Sequence, residues 1–318
     1  MKRVLVVGGA GYVGGAVTDQ LLELGHEVWI YDNLLYEESY RKPVEFVSGD
    51  VRDEEGLKPH LDRADVVVWL AAIVGDGACA LNPELTLAIN ENSVRWLSQN
   101  YDGRIIFPSS CSVYGANEGI LDEDSETSPL SLYAGTKLNA EAYLAGKNAI
   151  IFRLGTLFGV SDNFARIRMD LVVNYLTARA YSVGKITIFG GAQYRPLLHV
   201  KDVAKAMVQN LETDYIGIFN LHTVNTTIID LAATLSAHFP DLVIEKTEQK
   251  FQDERNYRVS SEKSKRTLGF NPSYTVDQGI EEIHDLIKTN RVKDVSHPRY
   301  SNQEFLKGLA DFSRAASS

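Results

Sequence analysis

Short apolar runs alternate with longer stretches of mixed polarity through the first half of the chain. The runs cover residues 3–7, 28–31, 45–48, 65–72 and 104–107, and helical periodicity fills much of the sequence between them. Runs of this length, rich in branched residues, are typical of strands buried on both faces of a parallel sheet. The pattern predicts an α/β fold with a doubly wound parallel (Rossmann) sheet, and ligands beyond the carboxyl ends of its strands.

A glycine-rich turn joins the first predicted strand to the first predicted helix. Glycine lets the backbone pass close to a pyrophosphate, and the start of a helix offers unpaired N–H groups to an anion. A tight turn without any ligand has the same local sequence, but the order of strand, turn and helix favours a dinucleotide. We therefore expect Gly8, Gly11, Tyr12 and Val13 to contact a dinucleotide.

Acidic and small residues follow several of the predicted strands. Asp32 ends the second strand, close to the spacing at which an acid accepts hydrogen bonds from the adenosine ribose. A carboxylate at this position repels a 2'-phosphate, so the sequence predicts NAD rather than NADP. The other cofactor contacts expected at strand ends are Asn33, Asp50, Val51, Leu70, Ala71 and Ala72.

The composition is that of a soluble globular protein and excludes several classes of partner. Of 318 residues, 44% are hydrophobic and 23% are charged, with a formal net charge of -10 and no lysine- or arginine-rich run. This charge gives no support to nucleic-acid binding, and a few placed cations must hold any anionic ligand. Two cysteines form neither a disulfide framework nor a metal-site spacing. Without an apolar segment long enough for a signal peptide or membrane span, we predict a cytoplasmic protein with no metal and no membrane contact.

Tyr133 and Lys137 form the most informative short motif. The residues that follow predict a helix, on which side chains four apart lie on one face, one turn from each other. A free tyrosine has a pKa of about 10, and a nearby ammonium favours its phenolate form. The same spacing occurs by chance on many surface helices, so the motif predicts a catalytic base only together with the dinucleotide site.

Five motifs in a fixed order carry a family resemblance that covers nearly the whole chain. They are GGAGYVG at 8–14, LAA at 70–72, SSCSVYG at 109–115, YAGTK at 133–137 and RPLLHVKDVA at 195–204. In this order they resemble the extended short-chain dehydrogenase/reductases that modify nucleotide sugars. The closest similarity is to NAD-dependent nucleotide-sugar 4-epimerases and C4 dehydrogenases. The resemblance implies NAD as cofactor, a nucleotide-diphosphate sugar as substrate and a homodimer.

The resemblance also implies how the chain divides. Residues 1–160 are expected to form the NAD-binding domain, to which later segments return, and residues 161–318 mainly a smaller mixed α/β substrate lobe. Helices of 83–100 and 133–146 would form the dimer interface. A helical pattern opens at 164–174, and 294–318 predicts either a peripheral helix or a mobile tail.

The motifs assign roles to individual residues by resemblance. Tyr133 resembles the base that removes the proton of the sugar 4-hydroxyl, and Lys137 the residue that holds the nicotinamide ribose and lowers the pKa of Tyr133. Ser110 resembles the residue that hydrogen-bonds the same hydroxyl. Asn90 resembles an asparagine that supports the active-site helix, and Asp76 either binds a sugar hydroxyl or caps its loop.

Arginines are the expected ligands of the nucleotide diphosphate, because a planar guanidinium suits bidentate phosphate recognition. Arg195 matches the arginine that grips the diphosphate in similar enzymes. Arg255 lies in a segment that resembles the second phosphate-binding stretch, with Lys250 as a competitor for the role. Arg166 and Arg168 either point to phosphate or are surface residues.

The two positions after Ser110 bear on the reaction. In the 4,6-dehydratases that resemble this chain, an acidic pair stands there, whereas this sequence has Cys111 and Ser112. An unperturbed thiol has a pKa of about 8.5 and an alcohol does not titrate in range, so elimination of water is disfavoured. The resemblance then implies oxidation at C4 by a 4-epimerase, with a hexose or heptose 4-dehydrogenase that releases a 4-keto sugar as the alternative. A nucleotide sensor without catalysis is a further alternative, which the retained tyrosine and lysine disfavour.

Overall fold

The computed structural model of the protein describes residues 1–162, 164, 166–247 and 255–316. Its strands are β1 (Arg3–Val7), β2 (Glu27–Asp32), β3 (Glu45–Ser48), β4 (Val66–Trp69), β5 (Arg104–Ser110), β6 (Ala116–Leu121), β7 (Ala149–Leu154), β8 (Thr156–Phe158), β9 (Lys185–Phe189), β10 (Tyr194–His199), β11 (Gly217–Leu221), β12 (Val224–Thr227), β13 (Val243–Thr247) and β14 (Asn256–Val259). Its α-helices are α1 (Tyr12–Glu23), α2 (Glu54–Arg63), α3 (Asp76–Leu81), α4 (Pro83–Leu87), α5 (Ser93–Asn100), α6 (Leu132–Leu144), α7 (Val172–Val183), α8 (Val200–Gln209), α9 (Ile228–His238), α10 (Glu262–Leu268), α11 (Val276–Lys288) and α12 (Asn302–Ala316).

A seven-stranded parallel sheet lies at the centre, in the order β11-β7-β5-β4-β1-β2-β3. Successive side chains of a strand point to opposite faces. In β1, Val4 and Val6 accordingly join the core under α1 and α8, while Leu5 and Val7 join the core under α2, α5 and α6. Helices cover both faces, which confirms the predicted doubly wound sheet. Strand order runs outward from β1 in both directions, so a crevice for ligands opens at the carboxyl ends of β1 and β4.

The strands of a smaller lobe all come after β7 in sequence. It contains a three-stranded sheet in the order β12-β10-β8 and a pair formed by β13 and β9. Helices α7, α9 and α11 cover these strands through a separate core that includes Phe158, Val173, Leu231 and Ile280. Strand β11 and helix α8 come later than residue 160 but belong to the layers of the central sheet.

Two helical expectations need correction. The helix expected from Phe164 begins only at Val172. Long-range hydrogen bonds replace helical ones before that point, because the amide of Met169 donates to the carbonyl of Tyr300 at 2.9 Å. The predicted helix of 83–100 is present but contains a π-helical turn, Ala88–Asn92, between α4 and α5. Of the two C-terminal alternatives, the helix is present as α12.

The described ranges lack two features. No helix there combines the length and the apolar character needed to cross a membrane. The same ranges contain no group of three or more His, Cys, Asp or Glu side chains arranged to hold a metal ion.

A buried ion pair ties α6 to the sheet. Glu141 of α6 accepts hydrogen bonds from the guanidinium of Arg153 of β7, with a shortest N–O distance of 2.7 Å and side chains only 3% and 4% exposed. The hydroxyl of Ser109 donates to the same carboxylate, and Arg153 donates to the hydroxyl of Tyr114 at 2.9 Å. These contacts fix the register of α6 against the ends of β5 and β7.

Neutralising one member of this pair should destabilise the protein. In Glu141→Gln, the Arg153 charge remains buried without its carboxylate, and such a loss costs about 3–5 kcal/mol. We expect this decrease in the free energy of unfolding, measured by urea denaturation. The matched control, Glu141→Leu with Arg153→Met, leaves no unpaired charge and should lose less. A double variant less stable than the single one would contradict this account.

Candidate active site

A cavity of about 650 Å³ opens at the carboxyl ends of the central strands. The structure brings every predicted catalytic, cofactor and substrate residue to its lining. These residues are Gly8, Gly11, Tyr12, Val13, Asp32, Asn33, Asp50, Val51, Leu70, Ala71, Ala72, Asp76, Ser110, Tyr133, Lys137, Arg195 and Arg255. Parallel strands end at one edge of the sheet, so residues distant in sequence meet there.

The glycine turn needs glycine at its first position. Gly8 has a φ of +82°, and a Cβ atom there would lie 2.5 Å from the backbone nitrogen of Ala71. Asp32 holds the turn from the next strand, since its carboxylate accepts from the amides of Ala10 at 3.0 Å and Leu34 at 2.7 Å. Burial raises the pKa of Asp32, and these backbone N–H groups oppose that rise. The turn is thus shaped for the close approach of a ligand backbone.

The predicted contacts on the adenosine side interact with one another. Asn33 donates to Asp50 at 3.2 Å, and Asp50 pairs with Arg52 at 2.7 Å. The Arg52 guanidinium lowers the pKa of Asp50 to about 2, so this carboxylate is ionised at neutral pH.

The hydroxyl of Tyr12 donates to the carbonyl of Gly159 at 2.7 Å. Its role in the structure is therefore to join the start of α1 to the segment after β8.

Tyr133 and Lys137 lie one turn apart in the first half of α6, as predicted. The hydroxyl of Ser131 caps this helix by accepting from the amide of Ala134. The ammonium of Lys137 donates to the carbonyl of Pro108 at 2.9 Å and lies 4.7 Å from the ring centre of Phe107. Burial lowers the pKa of Lys137 to about 8.

The pKa of Tyr133 differs from the sequence expectation. Burial raises it well above the usual value, reinforced by Cys79 and Asp76, whereas Arg168 and the hydroxyl of Ser110 act in the opposite direction. The protein alone therefore does not supply the lowered pKa that the spacing to Lys137 predicts. The physical reason is that removing a phenolate from water costs more than these neighbours return.

Ser110 is held by a residue whose role the sequence did not reveal. The hydroxyl of Ser112 donates to the Ser110 oxygen at 2.8 Å, and the Ser112 amide donates to the same oxygen at 3.1 Å. The proton of Ser110 is thereby left for another acceptor. Cys111 is fully buried and its thiol donates to the carbonyl of Arg153 at 3.2 Å. Burial raises the pKa of Cys111, consistent with its predicted role as a filler.

Asn90 supports the active-site helix, as predicted. It lies in the π-helical turn, accepts from the amide of Ile73 and donates to the carbonyl of the same residue, both at 2.8 Å. Its amide also donates to the hydroxyl of Thr136 at 3.4 Å. One side chain thus joins the loop after β4 to α6.

The predicted substrate residues contact each other across the cavity. Asp76 accepts from the hydroxyl of Ser131 at 2.6 Å and pairs with Arg255 at 3.4 Å. Arg195 is buried and donates to the backbone carbonyl of Arg255. Asp76 therefore links its own loop to α6, and the two arginines lie side by side. Lys250, the competitor of Arg255, lies outside the described residues.

Arg166 and Arg168 are not surface residues. Both line the cavity, with 5% and 8% of their surface exposed. Asp170 pairs with Arg168 at 2.9 Å, and Asn302 accepts from Arg166. The sequence did carry a signal for this arrangement: Arg166, Arg168 and Asp170 stand at alternate positions, which place side chains on one side of an extended segment. The helical interpretation of this stretch concealed it.

Most of the chain matches a known protein family. A family model described as the NAD dependent epimerase/dehydratase family matches residues 4–221. A putative UDP-glucose 4-epimerase from Methanocaldococcus jannaschii is 27% identical over 305 residues, covering 90% of this chain and 99% of the relative. UDP-glucuronic acid decarboxylase 1 from Danio rerio is 24% identical, and the match covers 88% of this chain and 71% of the relative.

A solved structure is similar over the whole length of its own chain. UDP-glucose 4-epimerase from Thermotoga maritima, crystallised with UDP-glucose, superposes with a TM-score of 0.79 at 25% identity, covering 90% of this chain and 99% of that chain. The family match itself extends from β1 to the last residue of β11 and includes the helix of Tyr133 and Lys137. Because it spans the complete central sheet, the chain belongs to the NAD dependent epimerase/dehydratase family, whose cofactor is NAD.

Proposed function

We propose that this protein uses NAD to oxidise C4 of a nucleotide-diphosphate sugar and acts as a 4-epimerase. The observation that carries the proposal is the placement of Ser110, Tyr133 and Lys137 in one cavity with Arg195 and Arg255. The UDP-glucose 4-epimerases among the similar proteins support this substrate class. A 4-dehydrogenase would use the same residues and the same first step.

Tyr133 is the proposed base for the proton of the sugar 4-hydroxyl. When bound, NAD would supply a hydride acceptor for C4 and a positively charged nicotinamide ring. Because burial raises the pKa of Tyr133 in the protein alone, added positive charge is required to ionise the phenol, and the resulting phenolate would take the sugar proton. Lys137 lies one helical turn from Tyr133 and donates to the carbonyl of Pro108, and its ammonium contributes to this positive charge.

Ser110 is the proposed hydrogen-bond partner of the same sugar oxygen. Its oxygen accepts from the amide and the hydroxyl of Ser112, so its own hydroxyl proton is oriented away from them. That proton stabilises negative charge on the 4-oxygen while Tyr133 removes the sugar proton. The two side chains thus act on one C–O–H unit from different directions.

Loss of water from C6 is disfavoured by the groups next to Ser110. Cys111 is buried, burial raises its pKa, and its thiol donates a hydrogen bond to the backbone carbonyl of Arg153. The hydroxyl of Ser112 donates its hydrogen bond to the side-chain oxygen of Ser110. Neither group is available as an acid or base for C5 and C6, which favours a reaction confined to C4.

The reaction can be tested with purified protein, NAD and UDP-, GDP-, CDP- and dTDP-hexoses in deuterated water, followed by proton NMR. Inversion at C4 without deuterium at C5 is the expected result. A ketone at C4 that accumulates with NADH would assign the protein as a dehydrogenase instead. Deuterium at C5 would contradict a reaction confined to C4.

Removing the Tyr133 hydroxyl should abolish turnover but not cofactor binding. We expect Tyr133→Phe to lower kcat roughly 100- to 10,000-fold, the range for loss of a general base. Steady-state kinetics measure this, and fluorescence titration should give an unchanged Kd for NAD. The matched control is Cys111→Ser, which alters the neighbouring buried filler and should keep most of the activity. Full turnover by Tyr133→Phe would refute the assignment of the base.

Neutralising Asp32 should weaken the preference for NAD over NADP. Asp32→Asn keeps an oxygen for the amide of Ala10 but removes the charge that repels a 2'-phosphate. The ratio of the NADP and NAD dissociation constants should fall by roughly tenfold, equivalent to about 1.4 kcal/mol. Fluorescence titration with both dinucleotides measures the ratio. A native protein that prefers NADP would show that Asp32 does not select the cofactor.

A further inference from the structure

Two buried guanidinium groups lie in the cavity and have no part in the chemistry proposed above. Arg168 pairs with Asp170 through its Nε atom at 2.9 Å. Arg166 donates to the side-chain oxygen of Asn302 and to the carbonyl of Arg299, both of which are neutral acceptors. Among the described residues, this arginine pair is therefore hydrogen-bonded to one carboxylate, while Glu37, paired with Arg299, acts on Arg166 only through its charge. An excess of buried positive charge is costly unless an anion joins it.

Several hydrogen-bond donors at this place are unused by the described residues. The Nε atom of Arg166 and the hydroxyl of Tyr36 are buried and have no hydrogen-bond partner in the described part of the chain. The Arg166 guanidinium lies 3.7 Å from the Tyr36 ring centre. Among the described residues, Arg168 donates a hydrogen bond only through its Nε atom, to Asp170. Buried donors are nearly always satisfied in native proteins, so the Arg166 Nε atom and the Tyr36 hydroxyl indicate a ligand that accepts hydrogen bonds from both.

The position of the pair identifies the ligand. The Arg168 guanidinium lies 5.9 Å from the ring centre of Tyr12, the first residue of α1, and its charge acts on Tyr133. Tyr36, beside Arg166, follows closely after Asp32 in the chain. The pair thus lies between the acid expected at the adenosine ribose and the tyrosine expected at the nicotinamide end. In a dinucleotide, the group that joins these two ends is the diphosphate.

We propose that Arg166 and Arg168 bind the diphosphate of the dinucleotide from the side opposite the start of α1. The N-terminus of α1 favours an anion through its unpaired N–H groups. Two guanidinium groups on the other side complete a site that matches a dianion in charge and in number of acceptors. The inference rests on NAD as cofactor and is independent of the reaction at C4.

The C-terminal segment positions this arginine pair. Asn302 uses its backbone amide to donate to Asp170 at 2.8 Å and its side-chain amide to donate to the carbonyl of Val74 at 2.7 Å, while its side-chain oxygen accepts from Arg166. Three separate segments thus meet at one buried asparagine. The cations are held in place before the dinucleotide binds, so little side-chain entropy is lost on binding.

The test measures affinity rather than turnover. NAD, ADP-ribose, adenosine and UDP are titrated into wild-type protein, Arg166→Gln and a double variant. The double variant carries Arg168→Gln and Asp170→Asn, so it leaves no carboxylate unpaired. ADP-ribose contains the diphosphate but no nicotinamide, and adenosine contains neither. We expect Kd for NAD and ADP-ribose to rise roughly 10- to 100-fold in each variant, as for loss of a charged hydrogen bond. Adenosine binding, measured by competition, should be unchanged.

Arg299→Gln is the matched control. It removes the same charge from a half-exposed side chain of the same region, which pairs with Glu37 at 3.5 Å, and should change ADP-ribose affinity less than about twofold. Circular dichroism of each variant establishes that it is folded, and Arg166→Lys retains the charge if Arg166→Gln does not fold. This lysine variant should then bind ADP-ribose more weakly than wild type but with the same dependence on salt.

Two results would overturn the inference. One is unchanged affinity for NAD and ADP-ribose in folded variants at both positions. The other is a weaker affinity for UDP with unchanged affinity for ADP-ribose, which would assign the arginines to the sugar nucleotide. A protein that shows the expected affinity losses but no epimerisation would support this inference while contradicting the proposed function, so the two failures are distinguishable.

Discussion

The geometry of the site depends on the contacts that hold the buried ammonium of Lys137. It is only 4% exposed and is held between the carbonyl of Pro108 and the ring of Phe107, one helical turn from Tyr133. Burial lowers the pKa of this group to about 8, which reflects the free-energy cost of taking the charge out of water. The same low-dielectric surroundings strengthen its effect on nearby charges. Helix α6 carries both residues, so its packing against the sheet sets their positions.

The opposite shifts of Lys137 and Tyr133 have one origin. Burial disfavours the charged form of each, so the lysine tends toward the neutral amine and the tyrosine remains a phenol. A positive charge brought next to the phenol favours its ionised form. In the proposed reaction, this arrangement restricts proton removal from the sugar to the state in which an oxidised dinucleotide is bound.

The cations proposed to bind ligands lie in one cavity of an acidic protein. The formal net charge is -10, yet Lys137, Arg166, Arg168, Arg195 and Arg255 all line the same space. Several of them are anchored by a carbonyl or a carboxylate, as Arg255 is by Asp76 and Arg168 by Asp170. Anchored cations keep their positions without a ligand, and this preorganisation reduces the entropy lost on binding.

The sequence by itself determined the central sheet, the glycine turn and the tyrosine–lysine pair. Strand β1 has the bounds that its apolar run predicts, and Gly8 is required because a side chain would collide with Ala71. These features depend on hydrophobic runs and on spacings of a few residues between side chains. Both are visible in a short stretch of sequence. The motifs also identified residues that line one cavity. They follow the ends of parallel strands, and these ends meet at one edge of the sheet.

The tertiary structure alone decided which charges are buried and what they contact. Asn302 meets Arg166 from a distance of 136 residues along the chain, and no local pattern encodes that contact. The raised pKa of Tyr133 and the support of Ser110 by Ser112 likewise depend on burial and on side-chain direction in the folded chain. Periodicity reports which face of an element is apolar, whereas the solvation of a charge depends on every segment that packs around it.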